Sequence, residues 1–141
     1  MKKHMIKNTA KKKIFRETPA RTLVIDALRR FTKAVSPYDL QKAITKRGKA
    51  INTVTVYRIL SLLEELEIVH RHPCNGGYSL CTLPQRKGHH GFLHCVGCGD
   101  IEEFASRSLC WAENRIARAA KFQATEHVSE MIGMCRACQL K

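Results

Sequence analysis

Apolar residues recur at helical spacing in two segments of the first half of the chain. The first predicted helix carries an inner stripe of Leu23, Val24, Ala27, Leu28 and Phe31. The second begins at Ser36 and Pro37, because a serine side chain accepts the first free N–H groups and proline fits the first helical position. Leu40 and Ile44 form its buried stripe, and Gly48 is predicted to end it.

A third helix is predicted to begin near Asn52 or Thr53. Its inner face is predicted to contain Ile59, Leu63 and Leu66. Two short extended runs follow within residues 69–83 and flank Asn75-Gly76-Gly77, which can adopt the positive φ angles of a tight hairpin. Three helices followed by a β-hairpin predict a winged helix-turn-helix domain.

The second half of the chain predicts a smaller module with little apolar material. Residues 101–104 form a predicted short strand, and alternating apolar residues at 128, 132 and 134 indicate another. Between them lies a helical stripe of Leu109, Ala112, Ile116 and Ala120. A module of about fifty residues with one helix has a thin core, so we expect metal and a partner subunit to stabilise it.

Two cysteine pairs with zinc-ligand spacing lie in this second module: Cys95 and Cys98, then Cys135 and Cys138. Each C-x-x-C pair can aim two sulfurs at one ion, and four thiolates complete a tetrahedral structural Zn2+ site. The alternative is free thiols or two disulfides. Because 36 residues separate the pairs, the metal would tie together two distant segments.

Charge is unevenly distributed along the chain, whose formal net charge is +13. Residues 1–72 contain 17 Lys and Arg against 6 Asp and Glu, whereas residues 73–141 contain 8 against 6. This asymmetry predicts that the first half contacts a polyanion. The alternative is a solvated basic face with a basic tail.

The beginning of the third helix is the predicted DNA-reading surface. It is rich in β-branched residues, which are poor helix formers on an ordinary surface. Hydroxyl, phenol and guanidinium groups at a helix N-terminus suit phosphate and base-edge contacts. The predicted contacts with double-stranded DNA are Thr53, Thr55, Tyr57 and Arg58. The alternative packs Tyr57 in the core and pairs Arg58 with an acidic neighbour.

The composition also bears on where the protein is located in the cell and on whether it is an enzyme. No apolar run approaches the roughly 20 residues of a membrane span, and no apolar stretch follows the basic N-terminus as in a signal peptide. Seven cysteines, four of them in zinc spacing, suit a reducing cytoplasm. A site closed by four cysteines offers no open coordination position, so we predict neither an enzyme nor a small organic substrate.

The order of these motifs resembles the ferric uptake regulator family. The resemblance rests on Thr-Val-Tyr-Arg in the third helix, His89-His90 six residues before the first cysteine pair, Glu102-Glu103-Phe104, and the late second pair. It covers roughly residues 15–138. It implies a cytoplasmic homodimeric repressor in which metal bound at the hinge closes the DNA-binding domains onto operator DNA, and it implies that the four cysteines hold structural zinc.

The predicted fold is therefore α+β, with two domains joined by a hinge. Residues 1–14 are a predicted basic tail and residues 15–83 a winged-helix DNA-binding domain. Residues 84–91 are the predicted hinge, and residues 92–141 a small α/β dimerisation domain with structural zinc.

The remaining metal-binding residue types indicate the branch of the family. The predicted regulatory ligands are His70, Cys81, His90 or His89, and Glu103. They come from both domains and resemble the regulatory site of zinc uptake regulators. A thiolate favours Zn2+ over Fe2+ or Mn2+. Phe92 and Val35 stand where iron sensors often place histidines, which weakens an iron- or peroxide-responsive alternative.

A third metal site is possible at His89, Cys110 and His127, where family position implies ligands and Cys110 stands in place of the usual glutamate. The alternative is that Cys110 is simply a buried cysteine. The sequence assigns no role to Cys74, and His72 and His94 are interpreted as ordinary exposed or hydrogen-bonded histidines. A more distant alternative for the whole chain is an RNA-binding structural zinc protein.

Overall fold

The computed structural model describes residues 15–83, 89–125 and 127–141. The predicted basic tail and most of the predicted hinge lie outside these residues. Within them, no helix is both long and apolar enough to cross a bilayer.

Three helices open the described chain: α1 (Pro19–Leu28), α2 (Pro37–Lys46) and α3 (Thr53–Glu65). Each is preceded by a polar cap whose side chain accepts a backbone N–H from the first turn. The caps are Thr18, Ser36 and Asn52, with donor–acceptor distances of 3.3, 3.1 and 2.8 Å. Ser36 and Asn52 confirm the predicted beginnings of α2 and α3.

The predicted wing is an antiparallel hairpin of β1 (Val69–Arg71) and β2 (Tyr78–Leu80). Gly76 takes a φ of +68° in the turn, a conformation that glycine adopts without steric cost. In the hairpin register His70 lies opposite Ser79. The three helices and this hairpin form the predicted winged helix-turn-helix domain.

This domain has a continuous apolar core. It contains Val24, Ala27, Leu28, Val35, Leu40, Ile44, Val56, Ile59, Leu60, Leu63, Val69 and Tyr78. Three predictions about core residues were wrong. Leu23 on α1 is only half-buried and lies outside this core. Phe31 lies beyond the end of α1 and is 38% exposed. Leu66 forms the C-cap of α3 and is only half-buried. Ile59 and Leu63 are buried as predicted, together with Val56 and Leu60.

The second module contains a three-stranded sheet with two helices. Its elements are β3 (His90–Cys95), β4 (Ile101–Ala105), α4 (Arg107–Ala119), β5 (Ser129–Gly133) and α5 (Arg136–Gln139). The strand order is β4-β3-β5, with β4 antiparallel and β5 parallel to β3. Strand β3 was not predicted, and it begins inside the range predicted as a hinge.

The apolar stripe of α4 is not buried in the single chain. No residue of this helix is buried, and Ile116 is 69% exposed. The sheet instead turns one face of β3 toward the wing, and the two modules also join where the Ile101 N–H donates to the Thr32 carbonyl at 3.1 Å. The contact between wing and sheet brings together most of the residues that can bind metal.

Candidate metal centres

The four cysteines of the two C-x-x-C pairs converge at one end of the sheet. Cys95 ends β3, Cys98 lies in the following turn, and Cys135 and Cys138 flank and enter α5. Their sulfur atoms all lie within 4.8 Å of one another, and the Cys98 and Cys135 sulfurs are 3.8 Å apart. Zinc–sulfur bonds of about 2.3 Å place tetrahedral ligands roughly 3.8 Å apart, so the group has the dimensions of a Zn2+ site.

The backbone around these sulfurs prepares them for a cation. The backbone N–H groups of Cys135 and Cys98 donate to the Cys95 sulfur and lower its pKa to about 5. A Cβ added at Gly97 would lie 2.8 Å from the Cys138 sulfur, so the first turn approaches the second pair too closely for a side chain. A thiolate is the form of cysteine that binds metal.

A second group lies between the wing and the sheet and contains His70, Cys81, His90 and Glu103. His70 Nε2 lies 2.8 Å from Glu103 Oε1 and 3.3 Å from His90 Nδ1. The Cys81 sulfur lies 3.6 Å from His90 Nδ1 and 3.5 Å from Glu103 Oε1. The structure brings His90 into this group, whereas His89 points elsewhere. Two ligands come from each module.

Thr82 orients the carboxylate of this group. Its backbone N–H and its hydroxyl both donate to Glu103 Oε2, which leaves Oε1 directed at the two histidines. Burial acts to raise the pKa of Glu103, but hydrogen bonds from His70 and Thr82 outweigh it and hold that pKa at about 2. Burial raises the pKa of the Cys81 thiol to about 11, so metal binding here would release a proton.

The third predicted group, His89, Cys110 and His127, also comes together, and it lies wholly within the second module. The His89 backbone N–H donates to the Cys110 sulfur at 3.1 Å. Sequence reasoning missed Glu113, whose Oε2 lies 3.1 Å from His89 Nε2 and 3.7 Å from His127 Nδ1. Its position one helical turn after Cys110 was the available signal.

A fourth group was not predicted and contains His72, His94 and Glu130. His72 was interpreted as an ordinary exposed or hydrogen-bonded histidine; it is fully buried, and its Nε2 lies 2.7 Å from the Ser79 hydroxyl. Burial lowers its pKa to about 4. The missed signal is strand alternation on β3, where His94 follows His90 by four residues and so shares its face. His72 follows His70 by two residues, just past the end of β1.

The outer face of α3 presents the predicted DNA contacts. Tyr57 is 51% exposed and Arg58 is also exposed, while Val56 on the opposite side is buried. Tyr57 therefore does not pack in the core, which was the first part of the alternative.

Comparison with known proteins gives a consistent family match. The sequence model of the ferric uptake regulator family matches residues 12–132. A ferric uptake regulation protein of Legionella pneumophila is 38% identical over 98 residues, which cover 70% of this chain and 71% of that protein.

Solved structures of two kinds resemble this chain. A zinc uptake regulator in complex with zinc and DNA has a TM-score of 0.82 at 28% identity, covering 89% of this chain and 84% of its own. The ferric uptake regulator of Vibrio cholerae has a TM-score of 0.56 at 29% identity, covering 85% of this chain and 92% of its own. Both resemblances support an N-terminal winged-helix domain followed by a C-terminal dimerisation domain.

Proposed function

This chain belongs to the ferric uptake regulator family, and we propose that it is a zinc-responsive transcriptional repressor. Proteins of this family are metal-responsive transcription regulators and not enzymes. One observation carries the assignment of the switch. His70 and Cys81 come from the DNA-binding domain and His90 and Glu103 from the C-terminal domain, and their ligand atoms lie within 4.8 Å of one another.

Such a site acts as a switch because of where its ligands lie. An ion bound by all four residues holds the wing against the sheet, so it binds more tightly to that arrangement than to an open one. A ligand shifts a conformational equilibrium only by this difference in affinity. Changing the closed arrangement from the rare to the dominant state requires a difference in zinc binding free energy of roughly 5 kcal/mol between the two states. A four-ligand zinc site can supply this difference.

Zinc is the proposed signal because the ligand set includes a thiol with two imidazoles. Phe92 and Val35 are buried apolar residues, so neither adds the nitrogen ligand of an iron sensor. The higher TM-score to the zinc- and DNA-bound zinc uptake regulator also favours zinc. The second candidate is an iron-responsive regulator, because sequence relatives carry the name ferric uptake regulation protein.

Operator DNA is the proposed partner of α3. The exposed Tyr57 and Arg58 lie on the side of the helix opposite its buried stripe, and Thr53 and Thr55 lie in its first turn. The positive charge of the first half of the chain suits the phosphate backbone, whose contacts position a reading helix in the major groove.

A homodimer is the proposed assembly. The C-terminal domain exposes large apolar side chains in the single chain: Trp111, Ile116, Phe122, Val128, Met131, Ile132 and Met134. Strand β5 is also at the edge of its sheet. An exposed apolar edge strand calls for a covering partner, and a second copy of this domain supplies the same edge. DNA binding by a protein with seven unpaired cysteines fits a cytoplasmic location.

The other two predicted groups have proposed roles inside the C-terminal domain. The four cysteines hold structural Zn2+, which fastens α5 to the turn after β3. His89, Cys110 and His127 form a possible third site. All three ligands lie in one domain, so an ion there would stabilise that domain without joining it to the wing.

The test is operator binding as a function of metal. Duplex DNA selected by the full-length protein from a random pool would be titrated after a mild chelator has removed all but the four-cysteine zinc. We expect Zn2+ to increase DNA affinity in the wild type, and Cys81→Ser to lose most of that increase while keeping the structural zinc.

Cys110→Ser is the matched control. It also removes a half-buried thiol, but from the group that lies within one domain, so it should keep zinc-dependent binding. A wild type that responds to Fe2+ under anaerobic conditions and ignores Zn2+ would contradict the zinc assignment and favour the iron-responsive candidate.

A further inference from the structure

Phe92 separates the proposed regulatory group from a second cluster of ligand-type side chains. Its ring packs against His70 on one side, with 5.1 Å between centroids, and against His72 on the other, with 4.6 Å. Beyond His72 lie His94 on β3 and Glu130 on β5. The ligand atoms of His72, His94 and Glu130 all lie within 4.8 Å of one another.

One ring nitrogen of the buried His72 lacks a hydrogen bond. The side chain is fully buried, and its Nδ1 makes no hydrogen bond to any described residue. The other ring nitrogen, Nε2, is 2.7 Å from the Ser79 hydroxyl. When Nε2 donates its proton to Ser79, the Nδ1 lone pair faces Glu130 Oε1 at 3.6 Å. A buried polar atom without a partner is costly, and a bound cation removes that cost.

Distances within the group match those of a metal site. His94 Nε2 lies 3.3 Å from Glu130 Oε1. The Cys74 sulfur lies 3.7 Å from both ring nitrogens of His94, and the Cys74 backbone N–H donates to Glu130 Oε2 at 3.2 Å. Zinc bond lengths of about 2.0–2.3 Å put tetrahedral ligand atoms roughly 3.3–3.8 Å apart. The separations of His94 from Glu130 (3.3 Å), His72 from Glu130 (3.6 Å) and the Cys74 sulfur from His94 (3.7 Å) fall in this range.

We propose that His72, His94 and Glu130, with Cys74 as the fourth ligand, bind a second zinc ion between the two domains. Its donors are two imidazoles, one carboxylate and one thiol, the same types as in the group of His70 and Cys81. A thiol with imidazoles favours Zn2+ over the harder divalent cations.

This site would act as a second fastening of the wing. His72 and Cys74 belong to the wing, while His94 and Glu130 belong to the C-terminal sheet, so the ion joins the same two domains at a separate point. The buried ring of Phe92 fills the space between the two groups. Each ion therefore has its own ligands, and the two sites fill as separate mononuclear centres.

The test isolates this site from the others by mutation. In full-length Cys81→Ser/Cys110→Ser protein the proposed regulatory group and the third group each lack their thiol, while the four structural cysteines remain. We expect this protein to bind one Zn2+ per chain that a mild chelator removes, in addition to structural zinc. Adding Glu130→Gln should lose that ion, measured by equilibrium dialysis with elemental analysis.

Glu102→Gln is the matched control, because Glu102 is an exposed carboxylate on β4, the opposite edge strand of the same sheet; it should leave the ion in place. Retention of structural zinc and an unchanged circular dichroism spectrum would establish that each variant is folded. A chelator-removable ion that survives Glu130→Gln, or none at all in the background protein, would overturn the proposal. Neither outcome depends on DNA binding, so the zinc-repressor proposal is tested separately.

Co2+ tests the fourth ligand. Co2+ is added to the Cys81→Ser/Cys110→Ser protein while zinc occupies the four-cysteine site. The bound Co2+ should show thiolate-to-metal charge-transfer absorption, because Cys74 is the one thiol outside that site. Cys74→Ser should remove this absorption. Persistence of the band would overturn Cys74 as a ligand.

Discussion

The two domains of this protein hold their folds together by different means. The winged-helix domain buries a continuous set of aliphatic side chains from three helices and the wing. Among the described residues of the C-terminal domain, the buried apolar set is Phe92, Cys95 and Cys138. Two of these three are candidate zinc ligands, and the third packs against histidines of the wing.

This difference separates two ways of stabilising a small domain. Burial of apolar surface contributes about 25 cal/mol per Å2, so a domain with many buried leucines can fold on its own. A domain of about fifty residues with a thin core needs metal, a partner or both. The C-terminal domain should therefore depend on zinc and dimerisation, while the winged-helix domain should depend on neither.

The largest expected effect comes from removing a structural cysteine. Cys135→Ser should unfold the C-terminal domain and dissociate the dimer. Structural zinc contributes roughly 10–16 kcal/mol of apparent binding free energy, which matches or exceeds the typical 5–15 kcal/mol stability of a whole domain. Sedimentation and zinc analysis would show a monomer without structural zinc, and residues 15–83 should keep their amide protection.

Cys74→Ser is the control for that change, since it removes an exposed thiol outside the four-cysteine group and affects only the proposed chelator-removable ion. It should keep structural zinc and the dimer. If Cys135→Ser remained a folded dimer with its full zinc content, the contrast between the two domains would be wrong.

A smaller effect is expected from the winged-helix core. Leu60 is fully buried on α3, and Leu60→Ala should cost about 2–5 kcal/mol through lost burial and the cavity that remains. Denaturant unfolding followed by a probe in residues 15–83 would measure this loss. The loss should be the same with and without zinc in the C-terminal domain, and a zinc-dependent loss would contradict independent folding.

The smallest effect on stability is expected from Arg58→Ala, on the same helix as Leu60. Arg58 is exposed, so Arg58→Ala should change the unfolding free energy by no more than about 0.5 kcal/mol. Discrimination between operator and random duplex should fall by roughly 1–3 kcal/mol if Arg58 reads a base. Competition binding would measure this loss. Unchanged discrimination would remove Arg58 from the reading surface.

The sequence predicted the winged-helix domain well because its signals are local. Ser36 before Pro37 and Asn52 before Thr53 mark helix beginnings whose caps are visible in the chain itself. Phe31 was misplaced because it continues the helical spacing of the apolar stripe, whereas α1 ends at Leu28. The apolar pattern alone does not show where the helix stops.

The metal-binding residues were harder to group, because their proximity depends on how two domains meet. The spacing of the cysteine pairs indicated their group directly. The choice between His89 and His90 needed the direction of strand β3, which was itself not predicted. His72 and His94 were set aside because their common neighbour Glu130 lies on β5, 36 residues beyond His94, and no local pattern connects Glu130 to either histidine.

The central claim is that zinc bound by His70, Cys81, His90 and Glu103, which come from both domains, is the main coupling between metal and DNA. The most direct measurement is the Zn2+ affinity of the wild type and of Cys81→Ser with and without operator DNA. Thermodynamic linkage requires DNA to tighten zinc binding by the same factor by which zinc tightens DNA binding. The account predicts matching factors in the wild type and a much smaller coupling in Cys81→Ser. Coupling that survives unchanged in Cys81→Ser would contradict it.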